Sequence, residues 1–158
     1  MPPNPPWQVP APRLRPITAI VGHNEPLYAD ATGMVSSDME LGVVIGPEAA
    51  GPPADLAMDH VFGYTICNDT YNRSYQGKTD TAAGGAAVSG VRLGGIATCG
   101  KASDGCGPIG PVIVTADEVG SPHDLAAAAW FNGRLRVRAH TSAYYYNVRD
   151  TYLSNNTG

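Results

Sequence analysis

A chain of 158 residues with 10 basic and 14 acidic side chains has a net charge of −4, which leaves no basic patch to recruit nucleic acid. That length suits one domain with a core of its own, and no apolar stretch is long enough to span a membrane. Cys67, Cys99 and Cys106 are odd in number and form no C-x-x-C pair, and no secretory leader is evident, so reduced thiols in a cytoplasmic protein are expected and a zinc site is not.

Seven of the 14 prolines fall within residues 1 to 16, a density incompatible with a helix or a central strand, so this segment is expected to be an extended arm anchored by Trp7. A strand follows at 17 to 21. The run DMELGVVIG, 38 to 46, places a core strand at 40 to 46, bounded by Gly46-Pro47. A helical turn is expected at 53 to 58, and a strand at 60 to 68 that leads to Asp69 and carries Cys67 into the core. A helical turn over 70 to 76 then gives way to a stretch rich in small residues from Gly77 to Gly100, either a loop or a mobile rim. Strands at 111 to 115, 124 to 131 and 133 to 138 complete the β content, the last two joined by an Asn132-Gly133 hairpin turn. Arg134, Arg136 and Arg138 alternate with Leu135 and Val137, so the second hairpin strand is expected to be half exposed. A short helix is expected at 147 to 153. His60, His123 and His140 lack companions at metal-ligand spacing and are assigned structural roles, and Tyr144, Tyr145 and Tyr146 are assigned to core or interface.

The chemistry concentrates on three carboxylates. Alternate residues of a strand share a face, so Asp38 and Glu40 project together. Two carboxylates side by side repel unless a cation or a basic partner neutralises them, and these two stand where an apolar strand begins. With Asp69 as a third oxygen ligand, the set suits a hard divalent cation, Mg2+ or Mn2+, with positions left for substrate. A solvated or salt-bridged strand end is the other reading of the same residues.

The segments DMELGVVIG (38 to 46), MDHVFGYTICNDTYNRSYQ (58 to 76), GKASDGCGPIGPVIVT (100 to 115), SPHDLAAAAWFNGRLRV (121 to 137) and TSAYYYNVRDTYLS (141 to 154) resemble, in order and spacing, the fumarylacetoacetate hydrolase family. The resemblance implies a mixed α/β, mainly β fold with a β-roll core. It implies metal ligation by Asp38, Glu40 and Asp69, with Asp38 standing where the family usually has Glu. Lys101 matches the family lysine beside the metal, which stabilises negative charge on the substrate, and Arg73 and Gln76 match polar residues that line the same pocket. Arg73 could hold a substrate carboxylate as a fork.

Three departures qualify that pattern. Val21-Gly22-His23-Asn24 matches a family stretch, yet only thirteen residues separate Asn24 from Asp38, so the usual lid with its His and Glu dyad is expected to be deleted or rebuilt. His23 and Glu25 have the wrong spacing to replace it on one helical face, and His23 reads equally as a loop residue. The closing Gly-Asp and Thr-Gly-Thr-Pro segments are absent, so the β core is expected to be incomplete at its C-terminal end, and Ser74 replaces a common Asp after Arg73. The expected protein is a divalent-metal-dependent enzyme, a homodimer, acting on a 2-oxo acid or 1,3-dicarbonyl compound through an enolate, by hydrolysis, decarboxylation or tautomerisation. A catalytically reduced binding or assembly partner, or a part of a longer enzyme, are the rival expectations.

Overall fold

The computed structural model describes residues 13–28, 35–46, 52–72 and 100–156. Six strands dominate: β1 (Ile20–Val21), β2 (Val35–Ile45), β3 (Val61–Asn72), β4 (Gly107–Thr115), β5 (Ala126–Phe131) and β6 (Arg134–His140). Two helices, α1 (Ala116–Val119) and α2 (Val148–Asn156), and three 3-10 turns complete the described secondary structure. The mainly β character expected from sequence is what the chain shows. No helix among the described residues is long and apolar enough to cross a membrane.

The first four strands form a sheet in the order β1-β4-β3-β2. β1 joins it by a parallel pairing, Ile20 opposite Gly107 and Val21 opposite Pro108. The chain packs as two compact units, and β2, β3 and β4 each contribute a stretch to both. One unit takes Arg13–Gly42 and Thr65–Val112, and its interior holds Ala19, Thr70 and Cys106. Thr70 is a polar residue buried on a central strand, and its hydroxyl donates to the Cys106 carbonyl, which satisfies it. Thr65 does the same to the Val112 carbonyl at 2.8 Å.

The other unit includes Val43–Tyr64 and Ile113–Gly158, with Ala57, Val61, Tyr64 and Val148 buried. Gly63 is required in it: a methyl group there would collide with the Val114 carbonyl, so only glycine allows β3 to approach β4 so closely. The start of α2 is capped twice. Asn147 Oδ1 accepts from Asp150 N at 2.8 Å, and His123 Nε2 accepts from Val148 N at 3.0 Å. His140 Nδ1 lies 2.8 Å from the Ser142 hydroxyl and its Nε2 3.5 Å from Asp124, while the His60 ring packs at 6.4 Å from Tyr152.

β5 and β6 form a separate antiparallel hairpin. Asn132 and Gly133 both have positive φ, 49° and 72°, which is the geometry a two-residue turn with the strands' own twist needs. The register pairs Ala127 with Ala139 and Ala129 with Val137, shifts by a bulge at Ala129/Trp130, then pairs Trp130 with Leu135 and Phe131 with Arg134. β6 is exposed on both faces through Ala139 among the described residues, rather than on the arginine face alone.

Other boundaries differ for local reasons. The strand expected at 17 to 21 is a 3-10 turn, Ile17–Ala19, followed by two strand residues, because Ala19 N folds back to the Pro16 carbonyl at 3.0 Å. β2 starts five residues before 40, since Ser36 and Ser37 extend an end strand of the sheet. The helical turn expected from 70 is strand through Asn72, with Thr70 and Asn72 buried in the sheet. β4 begins at Gly107, ahead of 111, and accommodates Pro111 through a cis Gly110-Pro111 bond. The turn expected at 53 to 58 appears as Ala57–His60, and α1 was not anticipated.

Candidate metal and carboxylate site

The start of β1, the middle of β2, the later part of β3, the loop before β4 and the start of β4 line, within one unit, a cavity of about 200 Å3. Its charged lining comprises Arg13, Arg15, Glu40, Asp69 and Lys101, with Cys67, Asn68, Ile20 and Ile109 between them. Three of the residues singled out from sequence, Glu40, Asp69 and Lys101, thus meet in one place.

Asp69 is the electrostatic centre. Arg15 Nη2 donates to its Oδ1 and Lys101 Nζ to its Oδ2, so both carboxylate oxygens are engaged. The side chains involved are 11% (Asp69), 16% (Arg15) and 23% (Lys101) exposed, enough burial for the pairing to matter and enough water to soften it. Arg15 is further tied down: Nη1 donates to the Cys106 carbonyl at 3.0 Å and contacts the Cys106 sulfur at 2.9 Å, and Nη2 donates to the Thr70 carbonyl at 3.1 Å. Cys106 Sγ in turn donates to the Lys101 carbonyl at 3.1 Å. The loop carrying Lys101 and the segment carrying Arg15 are thereby tied to the same thiol.

Burial pulls the Lys101 ammonium below its ordinary value, with Arg15 and Arg13 pushing the same way against the opposing pull of Glu40 and Asp38. Burial pushes the Cys67 thiol up, Glu40 adds to that, and Arg15 opposes it. Glu40, which lines the cavity, acts on both groups through its charge. Asp38 shares the Glu40 face of β2, is exposed, and acts on Lys101 through its charge, but it is not among the residues that line the cavity. Arg73 and Gln76 lie outside the described residues.

The donor chemistry suits a hard divalent cation in part. Glu40 and Asp69 offer carboxylate oxygens to one cavity, and Asp38 stands on the Glu40 face of β2 outside its lining. Among the described residues, however, no three His, Cys, Asp or Glu side chains stand together as a ready coordination group, and Asp69 is committed to two cations.

Arg13, Arg15, Asn68 and Cys106 were missed from sequence. The two arginines sit in the proline-rich arm, where composition argued only for an extended segment. Their signal was the Arg13-Leu14-Arg15 alternation directly before the first strand, which sets two cations on one side of an extended chain in an otherwise acidic protein.

Residues 3–155 match the family model described as fumarylacetoacetate (FAA) hydrolase C-terminal. An uncharacterized protein of Staphylococcus saprophyticus is 33% identical over 126 residues, 78% of this chain and 37% of its own length. Among solved structures, 2-hydroxyhepta-2,4-diene-1,7-dioate isomerase from Mycobacterium marinum superposes with a TM-score of 0.72 at 34% identity, covering 90% of this chain and 50% of that one. Fumarylpyruvate hydrolase from Pseudomonas aeruginosa, solved with Mn2+ and pyruvate, superposes with a TM-score of 0.71 at 26% identity, covering 90% and 58%. The chain spans about a third of the length of the curated relative and about half that of these solved structures. With its ordered motifs, strand arrangement and near full-length match to the family model, the chain belongs to the fumarylacetoacetate hydrolase family.

Proposed function

We propose that this chain carries the site of a divalent-metal-dependent enzyme acting on a 2-oxo acid or 1,3-dicarbonyl compound through an enolate. The observation that carries the reading is the meeting of Glu40, Asp69 and Lys101 in one cavity. Glu40 and Asp69, with Asp38 adjoining, would hold Mg2+ or Mn2+. When bound, the cation would supply Lewis-acid polarisation of the substrate oxygens.

The chain's own side chains account for the rest. Lys101 presents an ammonium to the cavity, so an oxygen that gains negative charge as the enolate forms is stabilised there without reorganisation. Arg13 lines the same cavity and can hold a substrate carboxylate, the role that sequence assigned to Arg73. Hydrolysis, decarboxylation and tautomerisation all pass through such an enolate. The neighbours include both a hydrolase and an isomerase, which supports the shared chemistry rather than one outcome. A homodimer in the cytoplasm is part of the same proposal.

A thermal-shift titration with Mg2+ and Mn2+, with and without oxalate as an enolate mimic, tests it on the full chain and on Glu40→Ala. Stabilisation by metal that deepens with oxalate and disappears in the variant is expected. A folded protein that responds to neither metal would overturn the reading and leave a binding or assembly role. That second role is favoured by one observation, the engagement of both Asp69 oxygens by Arg15 and Lys101.

A further inference from the structure

We infer that Arg15 is a resident counter-ion that occupies Asp69 Oδ1 in the metal-free protein and yields that oxygen when a divalent cation enters. This rests on the metal reading above.

The charges of the cavity wall motivate it. Among the described residues that line the cavity, Arg13, Arg15 and Lys101 face Glu40 and Asp69, with the exposed Asp38 acting from two positions away on β2. A divalent cation added to that arrangement would meet both Asp69 oxygens already engaged by cationic side chains. Entry therefore requires one cation to withdraw, and the hydrogen bonds indicate which. Without Asp69, Arg15 retains the Cys106 carbonyl, the Cys106 sulfur and the Thr70 carbonyl as acceptors. Lys101 has Asp69 as its sole side-chain acceptor among the described residues. Withdrawal of Lys101 would leave its partly buried ammonium with Glu40 and Asp38 acting on it through charge but with no side-chain hydrogen-bond acceptor among the described residues, whereas withdrawal of Arg15 leaves its guanidinium bonded.

Arg15 is on this account a positioning residue. It compensates Asp69 and links the Thr70 carbonyl of β3 to Cys106 just before β4 while the metal is absent, and it sets metal affinity by competition. Its place in the chain fits exchange, since it precedes the 3-10 turn and strand β1 and is held by side-chain rather than ladder bonds.

The test is a calorimetric Mn2+ titration of the full chain, Arg15→Gln, Arg15→Lys and Glu40→Ala, with folding of each checked by its thermal melt. Removing the competitor is expected to tighten Mn2+ binding in Arg15→Gln by about tenfold, a loss of opposition typical of one close charge pair, with Arg15→Lys closer to wild type. Mn2+ binding that is equal or weaker in Arg15→Gln, yet lost in Glu40→Ala, would overturn the exchange and leave the metal site standing. No Mn2+ binding by wild type or Arg15→Gln would overturn both. Should Arg15→Gln fail to fold, the wild-type protein still decides: the 15N guanidinium resonance of Arg15 is expected to move on saturation with Mg2+, and a resonance that stays in place while Mg2+ binds would overturn the inference.

Discussion

Arg15 and Asp69, 54 positions apart in the chain, form an ion pair on the wall of the cavity, with the Lys101 ammonium on the carboxylate's other oxygen. Removing the carboxylate would leave two cations facing each other in partial burial. Asp69→Asn is therefore expected to destabilise the metal-free protein by about 2–4 kcal/mol, toward the lower side of what breaking a buried pair costs because water reaches all three groups. Urea unfolding of the variant measures it, and a change below about 0.5 kcal/mol, the range of an ordinary surface substitution, would contradict a structural role for the pair.

Lys101 gives a pH dependence with a definite sign. Its folded value is lowered from 10.5, chiefly by burial, so the folded protein releases this proton before the unfolded chain does. In the window between the lowered value and 10.5 the unfolded state binds more protons, and the contribution of Lys101 to stability rises with pH. Its service as a cation falls over the same window. An NMR titration of the Lys101 side chain should show a midpoint below 10.5 that moves up in Arg13→Gln, where a like charge has been removed. A midpoint at or above 10.5 in wild type would refute this.

Cys67 reports on Glu40 from the neighbouring strand. Burial and then Glu40 hold its thiol above the ordinary value, and the thiolate is the species that reacts. Alkylation by iodoacetamide at pH 8, followed cysteine by cysteine by mass spectrometry, should be slower at Cys67 than in the unfolded chain. Glu40→Gln should accelerate it, and Arg15→Gln should slow it further. Equal rates in wild type and Glu40→Gln would show that Glu40 is not close enough to matter.

Gly63 tests the packing of the sheet. Because the Val114 backbone oxygen occupies the space a side chain would need, Gly63→Ala has to separate β3 from β4 or distort one of them. Overpacking of this kind costs about 1–3 kcal/mol. A thermal melt unchanged from wild type would mean that the strands part freely there.

Legibility from sequence followed the range of the interactions. The Asn132-Gly133 turn was readable because two adjacent residues with positive φ are encoded by residue type alone. The carboxylates were readable because Asp38 and Glu40 sit at strand period beside an apolar run, and Glu40, Asp69 and Lys101 do line one cavity. β3 was underestimated because Thr70 and Asn72 look like turn residues, and only hydrogen bonding such as that of Thr70 to the distant Cys106 carbonyl makes them strand. Arg15 was not readable as a site residue at all. Its partners Asp69, Thr70 and Cys106 lie 54 to 91 positions away, beyond any local pattern.

The parallel pairing of β1 with β4 has a consequence for how the site is made. Ile20 finds Gly107 only after the intervening chain has been synthesised, which at ordinary elongation rates takes on the order of ten seconds. Until then Arg15 lacks Cys106, and the carboxylate of Asp69 lacks Lys101. The cavity is thus a late product of translation, assembled by long-range closure rather than grown outward from a local nucleus.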